Sequence, residues 1–127
     1  MIKAILADDA HVMRTAIARL LKDCPAVELV AETNSFCGLL QLIAENRPDI
    51  VVMDVHMRDE GNISVAELKS CLEGCPLVAI SLWKDAETKA RADALGACRL
   101  LDKSVLAREL IPTIEQYAKR ESSGSTV

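Results

Sequence analysis

The chain lacks several features that would place it at once. No apolar stretch approaches the roughly 18 residues that a membrane span requires, and no leader-like segment precedes the first apolar run, Ile2-Lys3-Ala4-Ile5-Leu6-Ala7. The expected location is therefore the cytoplasm, with no membrane partner. There is no run of Lys and Arg, and a formal net charge of −4 argues against direct nucleic-acid binding. A G-x-G-x-x-G loop is missing, so nothing here cradles a dinucleotide pyrophosphate. C-x-x-C is absent as well. The five cysteines, Cys24, Cys37, Cys71, Cys75 and Cys98, are odd in number, and the tightest spacing, Cys71 to Cys75, is that of one helix face rather than a metal knuckle. They are expected to be reduced, small and mostly buried.

What remains is a chain of 127 residues, half of them apolar, which is enough for one domain with a core of its own. Short apolar runs recur at residues 2–7, 27–31, 49–53, 77–81 and 98–101, with segments of helical period between them. His11 to Lys22 places Met13, Ala16, Ile17, Leu20 and Leu21 on one face. Ser35 to Asn46 does the same with Phe36, Leu39, Leu40 and Ile43, with Asn34 or Ser35 as N-cap. Pro25, Pro48 and Pro76 each stand just before a strand, and Gly96 reads as the residue that ends a helix. A last helix is expected from Ser104 to Lys119, carrying Leu106, Leu110, Ile114 and Tyr117, although Pro112 lies inside it. Residues 120–127 read as a flexible tail or the stump of a linker. Five β-α alternations predict an α/β fold: a doubly wound, flavodoxin-like parallel sheet in the order 2-1-3-4-5, covered on both faces by five helices.

In such a sheet, chemistry gathers at the carboxyl ends of the strands where the winding reverses, here between the first and third strands. Asp8 and Asp9 close the first strand, and Asp54 closes the third. Ser81 ends the fourth, and Lys103 follows the fifth. Three carboxylates meeting at one rim repel one another and make sense around a hard cation such as Mg²⁺. The hydroxyl and ammonium suit the oxygens of a phosphate-like anion, and a carboxylate can itself accept a phosphoryl group. Each residue also has an ordinary explanation. Asp8 and Asp9 could cap the first helix, Ser81 could be a turn residue, and Lys103 could be a solvated charge. It is their joint placement that points to a site.

With that set in place, the chain resembles the receiver domain of two-component response regulators over residues 1–119. The acidic pair Asp8-Asp9, Asp54, Ser81 and Lys103 fall where that family has its signature. The strings Ala90-Arg91-Ala92-Asp93-Ala94-Leu95-Gly96-Ala97 and Leu100-Leu101-Asp102-Lys103 also look like it. Ile5-Leu6-Ala7-Asp8-Asp9 and Leu101-Asp102-Lys103-Ser104 look most like the NarL/LuxR-like subgroup, whose receivers are joined to a DNA-binding helix-turn-helix domain. The resemblance implies that Asp54 takes a phosphoryl group from a sensor histidine kinase or phosphotransfer protein. It also implies that Mg²⁺ is held by Asp9, Asp54 and the main-chain carbonyl of His56, with Asp8 helping through water. Lys103 would then pair with the phosphoryl group, and Ser81 would swing to hydrogen-bond it. The surface of the fourth helix, fifth strand and fifth helix would repack to meet an output protein or domain, or a second copy in a homodimer. Catalysis would be limited to the domain's own phosphorylation and dephosphorylation.

Four departures from the family pattern bear on that reading. Arg58 replaces a proline, with Gly61 one residue early, so the loop after Asp54 reads as shortened. Leu82 replaces the small residue after the Ser/Thr and, with Trp83, could narrow access to Asp54. Leu100 replaces the switch aromatic. Ser104 replaces a proline and could cap the last helix. Arg58, Leu82 and Leu100 favour a rival in which a degenerate receiver acts as a phosphorylation-independent interaction module, and the intact Asp8-Asp9-Asp54-Ser81-Lys103 set opposes it. A hydrolase of the aspartyl-phosphate type is disfavoured, because His56 stands where its second catalytic aspartate belongs. Asp54-Val55-His56 also suggests a cobalamin-binding D-x-H-x-x-G element, but Asp59 occupies the glycine position.

Overall fold

The computed structural model describes residues 1–59 and 64–118. The expectations for Gly61, for a domain boundary at residue 119 and for the 120–127 tail lie outside those residues.

Five strands, β1 (Ile2–Ala7), β2 (Val27–Thr33), β3 (Ile50–Asp54), β4 (Leu77–Ser81) and β5 (Arg99–Asp102), form one parallel sheet in the order 2-1-3-4-5. The helices are α1 (His11–Lys22), α2 (Phe36–Asn46), α3 (Val65–Leu72), α4 (Ala86–Ala94) and α5 (Leu106–Tyr117). The expected flavodoxin-like architecture is the one found. β3 and β4 are buried along their whole length, as strands covered on both faces must be.

Strand side chains alternate between two cores. On one face Ala4, Leu6, Val52, Val78, Ile80 and Leu101 pack against Ile17 and Leu21 of α1 and Leu106, Leu110 and Ile114 of α5. On the other face Ile5, Val51, Met53, Leu77 and Ala79 pack against α2, α3 and α4 through Phe36, Leu39, Ile43, Leu68, Leu72, Ala92 and Leu95. Ser35 caps α2 by accepting the Gly38 N–H, and Gly96 follows α4 at φ +82°, where a side chain would be strained.

Several local expectations need correction. On α1 it is Ala18 that is buried, while Ala16 faces solvent, because the apolar stripe drifts around the helix. Ser104 does not cap α5. It lies inside a 3-10 turn, Lys103–Val105, whose cap is the Asp102 carboxylate accepting the Ser104 N–H at 2.8 Å. The expected last helix does form, and α5 runs unbroken past Pro112, with the Thr113 hydroxyl donating back to the Glu109 carbonyl at 2.8 Å. The cysteines are all free but not mostly buried. Cys37 and Cys98 are exposed, and Cys24, Cys71 and Cys75 are half-buried. Cys71 ends up near the close of α3 and Cys75 beyond it, so the two do not share a helix face.

Candidate functional site: an acidic pocket at the strand ends

The sheet order places the ends of β1 and β3 side by side, with Ala7 opposite Met53. Asp8 therefore leaves β1 next to Asp54, the last residue of β3. β4 and β5 finish in the same direction, Ser81 opposite Asp102, so Lys103 emerges on the same rim. The Lys103 ammonium reaches back between two carboxylates, 2.7 Å from Asp54 Oδ2 and 2.8 Å from Asp8 Oδ2. Its side chain is 3 % exposed and that of Asp8 is fully enclosed.

The remaining carboxylate oxygens are held by main-chain N–H groups. Ala10 donates to Asp8 Oδ1 at 2.9 Å, His56 to Asp54 Oδ1 at 2.8 Å and Arg58 to Asp9 Oδ2 at 2.8 Å. The capping alternative for the acidic pair therefore fails. The N-cap of α1 is Ala10, with no side-chain bond, and both aspartates turn towards the pocket. Arg14 of α1 ties the turn down by donating to the Asp8 carbonyl at 2.8 Å.

Burial pushes the Asp8 carboxyl above the ordinary carboxylate range, although Lys103 and the Ala10 N–H pull the other way. Burial also works to lower the pKa of Lys103. Its hydrogen bonds to Asp54 and Asp8 outweigh that, and the ammonium is held above its usual value. One cation thus faces three carboxylates, which leaves two formal negative charges uncompensated. Ligand atoms of Asp8, Asp9 and Asp54 all lie within 4.8 Å of one another. An all-oxygen donor set with that residual charge fits a hard divalent ion such as Mg²⁺.

Ser81 is buried at the end of β4, and its Oγ accepts the Trp83 N–H at 3.0 Å, which leaves the hydroxyl hydrogen available to donate. Leu82 and Trp83 are each 58 % exposed, so both stand on the outer rim. Leu100 is half-buried and packs into the core under α2, α3 and α4. The structure also brings in contacts that sequence reasoning did not foresee, and with them Thr88. His56 Nε2 lies 3.0 Å from Thr88 Oγ1 of α4, and its ring meets Trp83 edge-on at 5.6 Å. Arg91 of α4 donates to the Val55 carbonyl at 2.8 Å. Asp59 accepts the N–H groups of Phe36 and Cys37 at the start of α2.

A sheet of this order with an acidic pocket at its switch point defines the class of protein. The profile of the response regulator receiver domain matches residues 4–115, and the chain belongs to that family. A protein-glutamate methylesterase/protein-glutamine glutaminase from Nocardioides sp. is 32% identical over 97 residues, 76% of this chain and 26% of that protein. The response regulator GacA of Pseudomonas aeruginosa is 27% identical over 117 residues, 91% of this chain and 55% of that protein. The chain spans only about a quarter to a little over half of these relatives' length. Among solved structures, a DNA-binding response regulator of the LuxR family from Staphylococcus aureus has a TM-score of 0.81 at 23% identity, covering 92% of this chain and 98% of that one. The receiver domain of the response regulator NarL from Mycobacterium tuberculosis has a TM-score of 0.77 at 20% identity, covering 91% and 94%. Those two show the shared fold. Among the described residues, no helix is long and apolar enough to cross a membrane.

Proposed function

We propose that this receiver domain is a phosphoacceptor switch in which Asp54 takes a phosphoryl group from a histidine kinase or phosphotransfer protein in the cytoplasm. The observation that carries the proposal is the Lys103 ammonium set between Asp8 and Asp54, with the Asp9 carboxylate within reach of both. An Asp54 oxygen forms the new O–P bond as the donor's N–P bond breaks, and the donor nitrogen keeps the electron pair. Asp9, Asp54 and the His56 carbonyl would hold Mg²⁺, with Asp8 acting through water. Bound there, the ion supplies charge that offsets repulsion between phosphoryl oxygens and carboxylates.

The chain's own groups do the rest. Lys103 is already 2.7 Å from Asp54, so a short shift transfers its contact from carboxylate to phosphoryl oxygen. Ser81 can donate its hydroxyl hydrogen to the same group. The His56 N–H steadies the Asp54 carboxylate in the attacking geometry. The readout would be the surface of α4, β5 and α5, offered to an output protein, an attached domain or a second copy. The domain itself would turn over no external metabolite.

Incubation with acetyl phosphate or phosphoramidate and Mg²⁺, followed by intact mass, tests this. One added phosphoryl group is expected, absent in Asp54→Asn and absent with EDTA. A folded parent that gains no mass instead supports the phosphorylation-independent binding module, the reading that Leu82, Leu100 and Arg58 favour.

A further inference from the structure

The phosphoacceptor loop is gripped from α4 at two successive residues. Arg91 Nε donates to the Val55 carbonyl at 2.8 Å, and Thr88 Oγ1 lies 3.0 Å from His56 Nε2. Thr88 and Arg91 stand one helical turn apart, so both face the loop from the same side of α4. Thr88 is 1 % exposed, and its own N–H is fixed by the Asp85 cap at 2.9 Å. The Thr88 backbone is therefore anchored at the helix start, so the residue moves with α4 rather than with the loop.

On the loop side, His56 faces two ways. Its main-chain N–H donates to Asp54 Oδ1, while its ring meets Thr88 and the edge of Trp83. A change in charge or hydrogen bonding at Asp54 acts directly on the His56 backbone, as it does on Lys103. Two contacts lead from there to α4: the His56–Thr88 side-chain bond and the Arg91 bond to the Val55 carbonyl. Ser81, whose Oγ accepts the Trp83 N–H, offers a separate route to the start of α4.

We infer that Thr88 and Arg91 are positioning residues: they clamp Val55 and His56 beside Asp54 and carry the state of that carboxylate into α4. This rests on the phosphoacceptor reading above and adds the path by which the site is read out. It requires that α4 respond when Asp54 changes, and that the response depend on the Thr88 hydroxyl rather than on the bulk of the side chain.

Hydrogen exchange across Ala86–Ala94, measured with and without acetyl phosphate and Mg²⁺ and beside intact mass on the same samples, tests the proposal. Emission from Trp83, the sole tryptophan, is a second readout. In the parent, α4 exchange and Trp83 emission should both change as the mass rises. In Thr88→Val the mass should still rise, while the α4 change falls below about half of the parent's. Thr88→Ser should restore it, and Arg91→Lys, which lacks the Nε donor, should show an independent loss. A parent-sized α4 response in both Thr88→Val and Arg91→Lys would overturn the clamp. So would a parent that gains mass with no α4 response, although the phosphoacceptor reading would stand. A parent that gains no mass overturns that underlying reading, and the clamp with it.

Discussion

Two lysine–aspartate groupings flank the end of β5, alike in distance and opposite in consequence. Lys84 Nζ lies 2.8 Å from Asp102 Oδ2, close to the 2.7 Å that separates Lys103 Nζ from Asp54 Oδ2. The Lys84 side chain is 72 % exposed, whereas that of Lys103 is 3 % exposed. In water the first pair gains little, since solvent and salt screen it and a long side chain must be ordered. Within the pocket nothing screens the second. A desolvated cation there is tolerable because buried carboxylate takes its charge, and the crowded carboxylates are tolerable only because of the cation. Separation alone therefore does not measure an ion pair. The exposed pair decorates the rim, and the buried set stores imbalance that a divalent ion or a phosphoryl group can relieve.

The sharpest way to break this comparison is to remove the shared cation. Lys103→Met leaves three carboxylates facing one another, and unfolding by urea without divalent ions should show a loss of about 3 kcal/mol. Added Mg²⁺ should recover much of that loss, because the imbalance is electrostatic rather than a packing defect. A loss indifferent to Mg²⁺ would mean that the lysine stem, not its charge, holds the pocket. A smaller effect is expected from Asp8→Asn. Burial already disfavours the charged form of Asp8, so neutralising it should raise stability at neutral pH when no metal is present. The same change should weaken Mg²⁺ binding by about tenfold, as loss of a ligand-supporting carboxylate does. Calorimetric titration and melting on one preparation would show both signs. Stability and metal affinity falling together would contradict them.

The buried grouping was legible in the sequence and the contacts around it were not. Strand order alone sends Asp8, Asp9, Asp54, Ser81 and Lys103 to one rim, and strand order follows from β-α alternation. Nothing finer was needed to find the pocket. By contrast, His56–Thr88 joins residues 32 apart, Arg91–Val55 36 apart and Phe36–Asp59 23 apart. These contacts depend on rotamers and loop shape, which no hydrophobic period records. The start of the last helix was missed for the same reason. Ser104 has the right residue type and stands close to the right place, but a 3-10 turn after Lys103 moves the start of α5 beyond it. The cysteines were misjudged from their usual habit, since their exposure is set by the helix end or strand edge on which each one falls.

The exposed grouping offers the smallest expected effect and a clean control. Asp102 is held at a pKa of about 2, below its ordinary 3.8, first by the hydrogen bond from Lys84 and then by the Ser104 N–H. A carboxyl depressed in the folded state contributes stability above its unfolded pKa and loses that contribution as pH falls through the folded value. The difference in melting temperature between parent and Lys84→Ala should therefore be present at neutral pH, shrink below about pH 4 and vanish near pH 2. It should also vanish at neutral pH in about 1 M salt, where the screening length is near 3 Å. Lys84→Ala is the right variant because Asp102→Ala would also remove the cap on the 3-10 turn. Such salt sensitivity belongs to a solvated pair. If the Lys84→Ala difference survived high salt while the Lys103→Met loss did not, burial would have been assigned to the wrong lysine.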